Sequence, residues 1–127
     1  MSPAFGAGLG NGPVYPIGLL NGQLGVVVDP EGLLAKVLWV ASASYSGPVL
    51  IRGGRLGGAG AVKFGTGSTL PTDEFRLTEP TAGSSGEEAG WREWPSYTFV
   101  PDLGCYTYQI DGAGFTEIIV FEAIAAR

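Results

Sequence analysis

The chain has 127 residues, enough for one ordinary domain with a real hydrophobic core. Twelve acidic residues against seven basic ones give a net charge of −5, with no histidine and a single cysteine, Cys105. These counts exclude histidine catalysis, His-ligated metals, an internal disulfide and a cysteine-rich zinc site, and they leave no basic footprint for nucleic acid or an anionic membrane surface.

No apolar stretch approaches the about 18 residues of a spanning helix, so no membrane span is expected. Twenty-two glycines and nine prolines sit in a chain that is 45% hydrophobic. A greasy chain full of turn formers reads as many short strands joined by tight loops. No window carries an i, i+3, i+4, i+7 stripe free of Gly and Pro, so almost no helix is expected. Residues 1–13 read as a Gly/Pro-rich arm or linker before one β-domain over 14–127. Met1-Ser2-Pro3 lacks the basic start and apolar segment of a signal peptide. The arm suits a linker behind a removed anchor, so an extracellular or cell-surface location is expected, with the cytoplasm as the alternative.

In chain order, Leu24–Val28 forms the first predicted strand, closed by the turn Asp29-Pro30-Glu31-Gly32. Ala35–Ala41 is apolar on both faces except at Lys36, which predicts a central strand. Pro48–Arg52 starts another, interrupted by Gly53-Gly54 and by Gly57–Gly60, with Ala61–Phe64 as a short successor. The acidic stretch Thr78–Gly90 reads as an exposed loop. Trp94–Val100 is a strand ended by Pro101-Asp102. Gly104–Ile110 follows, with Tyr106, Tyr108 and Ile110 on one face and Cys105, Thr107 and Gln109 on the other. Asp111-Gly112-Ala113-Gly114 makes a hairpin turn into a final strand over Phe115–Ala123.

Asp102-x-Gly104-x-Tyr106-x-Tyr108 resembles the tyrosine corner of immunoglobulin-like domains. The resemblance implies an all-β, immunoglobulin-like antiparallel sandwich of seven or eight strands. It also implies that the Tyr106 hydroxyl bonds a backbone carbonyl upstream and pins a strand crossover, with Asp102 and Gly104 shaping the corner. Tyr108 stands where an antibody domain has its second cysteine, so the disulfide form is excluded, and Trp39 takes the place of the core tryptophan. Pro48–Gly54 and Trp91–Tyr97 are similar to segments of uncharacterised bacterial exported or lipid-anchored proteins, which implies a location and no activity.

Trp91, Trp94 and Tyr97 lie within seven residues and offer a ligand platform of the kind on which sugar rings stack; the plainer account makes one or two of them core anchors. Asp73-Glu74 and Glu87-Glu88, with Asp29, Glu31 and Asp111, lack the Asp-x-Asp-x-Asp-Gly ladder of a calcium loop and read as solvated charge. Gly53–Gly60 lacks the Gly-Lys-Ser/Thr ending of a phosphate loop and reads as a hairpin or bulge. Arg52 and Arg55 need carboxylate partners, for which Glu93 or Glu117 would serve. Cys105 reads as a lone thiol without catalytic role, and no pair of carboxylates is singled out for hydrolysis. The expectation is therefore no enzyme, no cofactor and no metal. The protein reads as a non-catalytic exported or cell-surface binding module for a protein or glycan partner. One alternative is a self-assembling structural subunit that forms homo-oligomers through sheet edges or the N-terminal arm. The other is a small carbohydrate-binding protein using the Trp/Tyr platform.

Overall fold

Alternation of inward apolar and outward side chains produces nine strands in the computed structural model, which describes residues 10–30, 32–45, 47–66, 71–77 and 92–126. They are β1 (Val14–Ile17), β2 (Gln23–Asp29), β3 (Gly32–Ala41), β4 (Val49–Arg55), β5 (Lys63–Gly65), β6 (Glu74–Leu77), β7 (Arg92–Val100), β8 (Gly104–Gly112) and β9 (Phe115–Ala125). There is no helix among the described residues. The strands share one mixed sheet in the order β5-β7-β3-β2-β9-β8-β4-β6, and β1 also pairs with β3.

The sheet curls until its ends meet. Phe64 in β5 and Thr72, just before β6, exchange two backbone hydrogen bonds of 2.8 Å, and the Phe64 ring stacks on Phe75 at 6.2 Å. The result is a nearly closed, barrel-like sheet rather than the antiparallel sandwich of seven or eight strands that the sequence suggests. The reason lies in β2. Gln23–Val26 runs parallel to Glu122–Ala125 of β9, while Val27–Asp29 pairs antiparallel with Gly32–Leu34 of β3. One strand thus serves both halves, and they do not separate into two sheets. Alternation fixes which side chains face inward; it carries no mark of which distant strand lies alongside.

Three local expectations also change. β4 does not stop at Gly53-Gly54: it continues to Arg55, pairing with Tyr108, Thr107 and Tyr106 of β8. A Cβ on Gly53 would run into the Thr107 carbonyl and the Val62 side chain, so the glycine is there for close approach, not for a break. The last hairpin is tighter than expected, because Asp111 and Gly112 stay paired with Thr116 and Phe115, leaving only Ala113 and Gly114 (φ +84°) in the turn. Strands β1 and β6 carry no clear strand signature in the sequence; one contains Pro16 and the other alternates charged with apolar residues over only four positions. The Thr78–Gly90 loop and residues 1–9 of the arm lie outside the described residues. At the end of the arm, the Pro13 carbonyl accepts from the Ser42 N–H at 2.8 Å, and the Asn11 N–H donates to Glu117 at 2.6 Å.

Trp39, Tyr106, Tyr108, Phe64 and Phe121 are the largest fully buried side chains. Tyr108 stacks on Phe121 at 4.4 Å and meets the edge of Trp39 at 4.9 Å. Its hydroxyl shares a 2.7 Å hydrogen bond with Thr98, also buried. Burial pushes the Tyr108 phenol well above its ordinary range, and the Thr98 bond opposes this only in part. A raised folded-state value means that Tyr108 supports the fold fully below the ordinary phenol pKa of about 10, and that this support is lost as pH rises beyond it. The melting temperature is therefore expected to fall between about pH 9 and about pH 11, and to fall less in Tyr108→Phe; an equal fall in both proteins would contradict it.

Candidate binding surface

Strands β4, β8 and β9 turn one row of side chains outward. On β8 the row is Cys105, Thr107, Gln109 and Asp111; on β9 it is Thr116, Ile118, Val120 and Glu122. Asp111 organises the upper end. It accepts from Gln109 Nε2 at 3.1 and 3.2 Å, from Thr116 Oγ1 at 2.9 Å and from Arg52 at 2.9 Å. The bonds from Gln109 and Thr116, and then the Arg52 guanidinium, hold its carboxyl below the usual carboxylate range. A shallow groove of about 320 Å³ runs beside it, lined by Pro48, Leu50, Arg76 and Ala113.

Arg52 and Arg55 find other carboxylates than Glu93 and Glu117. Arg52 pairs with Asp111, and Arg55 with Asp102 at 3.6 Å. Both arginines leave β4 beside β8, whereas Glu93 is on β7 and Glu117 meets Asn11 at the N-terminal arm. Arg55 also donates to the Leu103 carbonyl at 3.2 Å and lies over the Tyr106 ring at 5.6 Å. The Tyr106 hydroxyl donates to the Asp102 carbonyl at 2.8 Å and accepts from the Asp102 N–H at 3.3 Å. Gly104 follows at φ +144°, where a side chain would be strained and would meet the Arg55 guanidinium. These contacts fasten the β7–β8 crossover and leave the outer row free of it.

The first half of β9, from Thr116 to Val120, has a different character. The Glu122 N–H donates across to the Gly22 carbonyl at 2.9 Å, on the side where β2 lies. Backbone groups alternate in direction along a strand, so those of Thr116, Ile118 and Val120 point to that same side. Pairing with β2 starts only at Glu122, and among the described residues nothing bonds the backbone of these three there. Their side chains are exposed as well: Ile118 is 63% and Val120 52% accessible, with Leu20 at 74% in the loop where β2 arrives.

Of the aromatic platform, Trp94 is 2% exposed and points into the core, under the Arg92 guanidinium at 5.2 Å. Tyr97 is half-buried on the opposite face of β7, and Trp91 lies outside the described residues. The two described members thus share no surface. Asp73 pairs with Lys63 at 3.0 Å and Glu74 with Arg76 at 3.1 Å; Glu31, Glu87 and Glu88 lie outside the described residues. Among the described residues, no three His, Cys, Asp or Glu side chains converge as a metal site would need. Ile118 and Val120 escaped the sequence reading because β9 is apolar on both faces, the usual mark of a covered strand; only the late arrival of β2 leaves them open. No protein-family model matches the chain, and no curated protein or solved structure is significantly similar to it.

Proposed function

We propose that the protein is a non-catalytic binding module, exported or held at the cell surface, that takes up an extended partner by strand addition along β9. One observation carries this reading: among the described residues, Thr116, Ile118 and Val120 offer unpaired backbone donors and acceptors on the same strip as exposed aliphatic side chains. In strand addition the main-chain bonds supply affinity and the alternating side chains supply choice. An open edge of β-branched residues is otherwise a liability that proteins blunt with charge or proline, and neither stands between Thr116 and Val120 on the outward row. Asp111 has both oxygens committed to Gln109, Thr116 and Arg52, which suits a structural role better than acid–base work. With Trp94 in the core, a sugar platform would lack its middle ring. The corner at Tyr106 supports kinship with immunoglobulin-like domains. The likeness of Pro48–Gly54 and Trp91–Tyr97 to exported bacterial proteins supports a place outside the cytoplasm.

Selection from a library of random short peptides, followed by amide chemical-shift mapping, tests the reading. Bound peptides are expected to slow exchange at Thr116, Ile118 and Val120 and to carry alternating β-branched or aromatic residues. Val120→Pro removes an edge-facing N–H that the fold does not use, so it should abolish this binding while the melting curve is kept. Binders that map elsewhere, or no binders, would overturn it.

A further inference from the structure

Resting on the strand-addition reading of this edge, the geometry points to a second copy of the chain as the occupant, paired antiparallel and centred on Ile118. We propose a closed dimer in which Ile118 faces Ile118 of the second copy and Thr116 faces the second copy's Val120. Antiparallel pairing requires facing residues whose backbone groups point at each other. Thr116, Ile118 and Val120 all point outward along the edge, and this register pairs every one of them, two hydrogen bonds to each facing pair. Shifting by two residues toward Glu122 would set an N–H already used by Gly22 against a partner.

Charge favours the same register. Two chains of net charge −5 repel, so a close contact is favoured where neither presents an unpaired carboxylate, and Asp111 beside Thr116 is paired with Arg52. Between Thr116 and Val120 the outward row is neutral, and behind it Thr107 and Gln109 of β8 are neutral too. The ladder ends at the Thr116–Val120 pairs, since each chain turns at Ala113-Gly114 and β2 already holds Glu122; Glu117, bound to Asn11, would face Ile119. The apolar matter also matches: Ile118, 63% exposed, meets its own copy, and Val120, 52% exposed, meets a threonine methyl. Each copy has this edge once among its described residues, so the pairing is isologous and stops at two.

Sedimentation velocity over a concentration series is the first measurement, with a monomer–dimer equilibrium expected. Ile118→Lys puts like charges face to face and should raise the dissociation constant roughly tenfold or more, while the melting curve of dilute, monomeric protein is kept. Register is read by cysteines in a Cys105→Ser background. Ile118→Cys should form a disulfide-linked dimer on mild oxidation, since facing hydrogen-bonded residues lie within disulfide range. Thr116→Cys alone should not, but mixed with Val120→Cys chains it should give the mixed dimer. A monomer at every concentration, cross-linking of Val27→Cys as fast as of Ile118→Cys, or growth into fibres would overturn the dimer. If the chain stays monomeric while library peptides still protect Ile118 and Val120, the second copy is wrong and strand addition stands. If neither occurs, both fall.

Discussion

Tyr106→Ala is expected to destabilise the protein by about 3–5 kcal/mol, and Tyr106→Phe by about 1–3 kcal/mol. The ring is fully buried, stacked on Phe121 at 5.8 Å with the Arg55 guanidinium over it, so its removal leaves a cavity in a packed core. Losing the hydroxyl alone strands both backbone groups of Asp102, which it now bonds. The size of the phenylalanine effect therefore measures the corner itself, and the difference between the two variants measures the packing. Thr107, half-buried on the other face of β8, provides the reference: its hydroxyl makes only a 3.5 Å contact to the Gly54 carbonyl, and Thr107→Ala should shift stability by a few tenths of a kcal/mol, roughly the surface range. Urea unfolding of the three variants decides the matter, and equal small changes at Tyr106 and Thr107 would contradict it.

Gly53→Ala and Gly54→Ala are expected to differ in sign. At Gly53 the added methyl would collide with a backbone carbonyl, that of Thr107, and with the branched Cβ of Val62 at 2.9 Å. Neither is a flexible side-chain tip that swings aside, so β4 must move off β8. Overpacking of this kind costs about 1–3 kcal/mol or more, and Gly53→Val should exceed Gly53→Ala. At Gly54 the nearest atom to the new methyl is the Gly60 carbonyl oxygen at 3.8 Å, an ordinary contact, and the backbone lies outside the left-handed region. There alanine should leave stability unchanged or raise it by up to about 1 kcal/mol, by restricting the unfolded chain. Chemical unfolding of both variants is the check, and a destabilisation of Gly54→Ala as large as that of Gly53→Ala would refute the distinction.

The same pair shows what sequence alone conveys. Gly53 and Gly54 look identical as letters and read as breakers, because the meaning of a glycine depends on what approaches it. Alternation was legible where one face is clearly polar or bonded: Tyr106, Tyr108 and Ile110 all turn inward on β8, and Cys105 is exposed as its position demands. It was legible at Trp39 and along β3, which lies between β7 on one side and β2 and β1 on the other. It failed for partners. Arg52 finds Asp111 only because β4 and β8 are neighbours, and that neighbourhood is a long-range fact. It failed for the candidate edge as well, since Ile118 and Val120 carry the letters of a covered strand. The aromatic cluster drew attention by composition, yet parity sets Trp94 and Tyr97 on opposite faces, three positions apart.

The parallel seam between β2 and β9 has a bearing on how the protein is made. Gln23 and Glu122, which pair there, are 99 positions apart in the chain. A ribosome adding about 5–20 residues per second needs about 5–20 s to travel between them. During that interval β2 exists with one of its two neighbours unsynthesised, so the seam cannot shut until Glu122–Ala125 has been made. Native folding therefore waits for the last strand, and rates in the ms–s range typical of non-local β topologies are expected once β9 is available. A nascent chain halted before Glu122 would keep the parallel side of β2 unsatisfied, and it is such arrested chains, rather than the finished protein, that should most need chaperone cover.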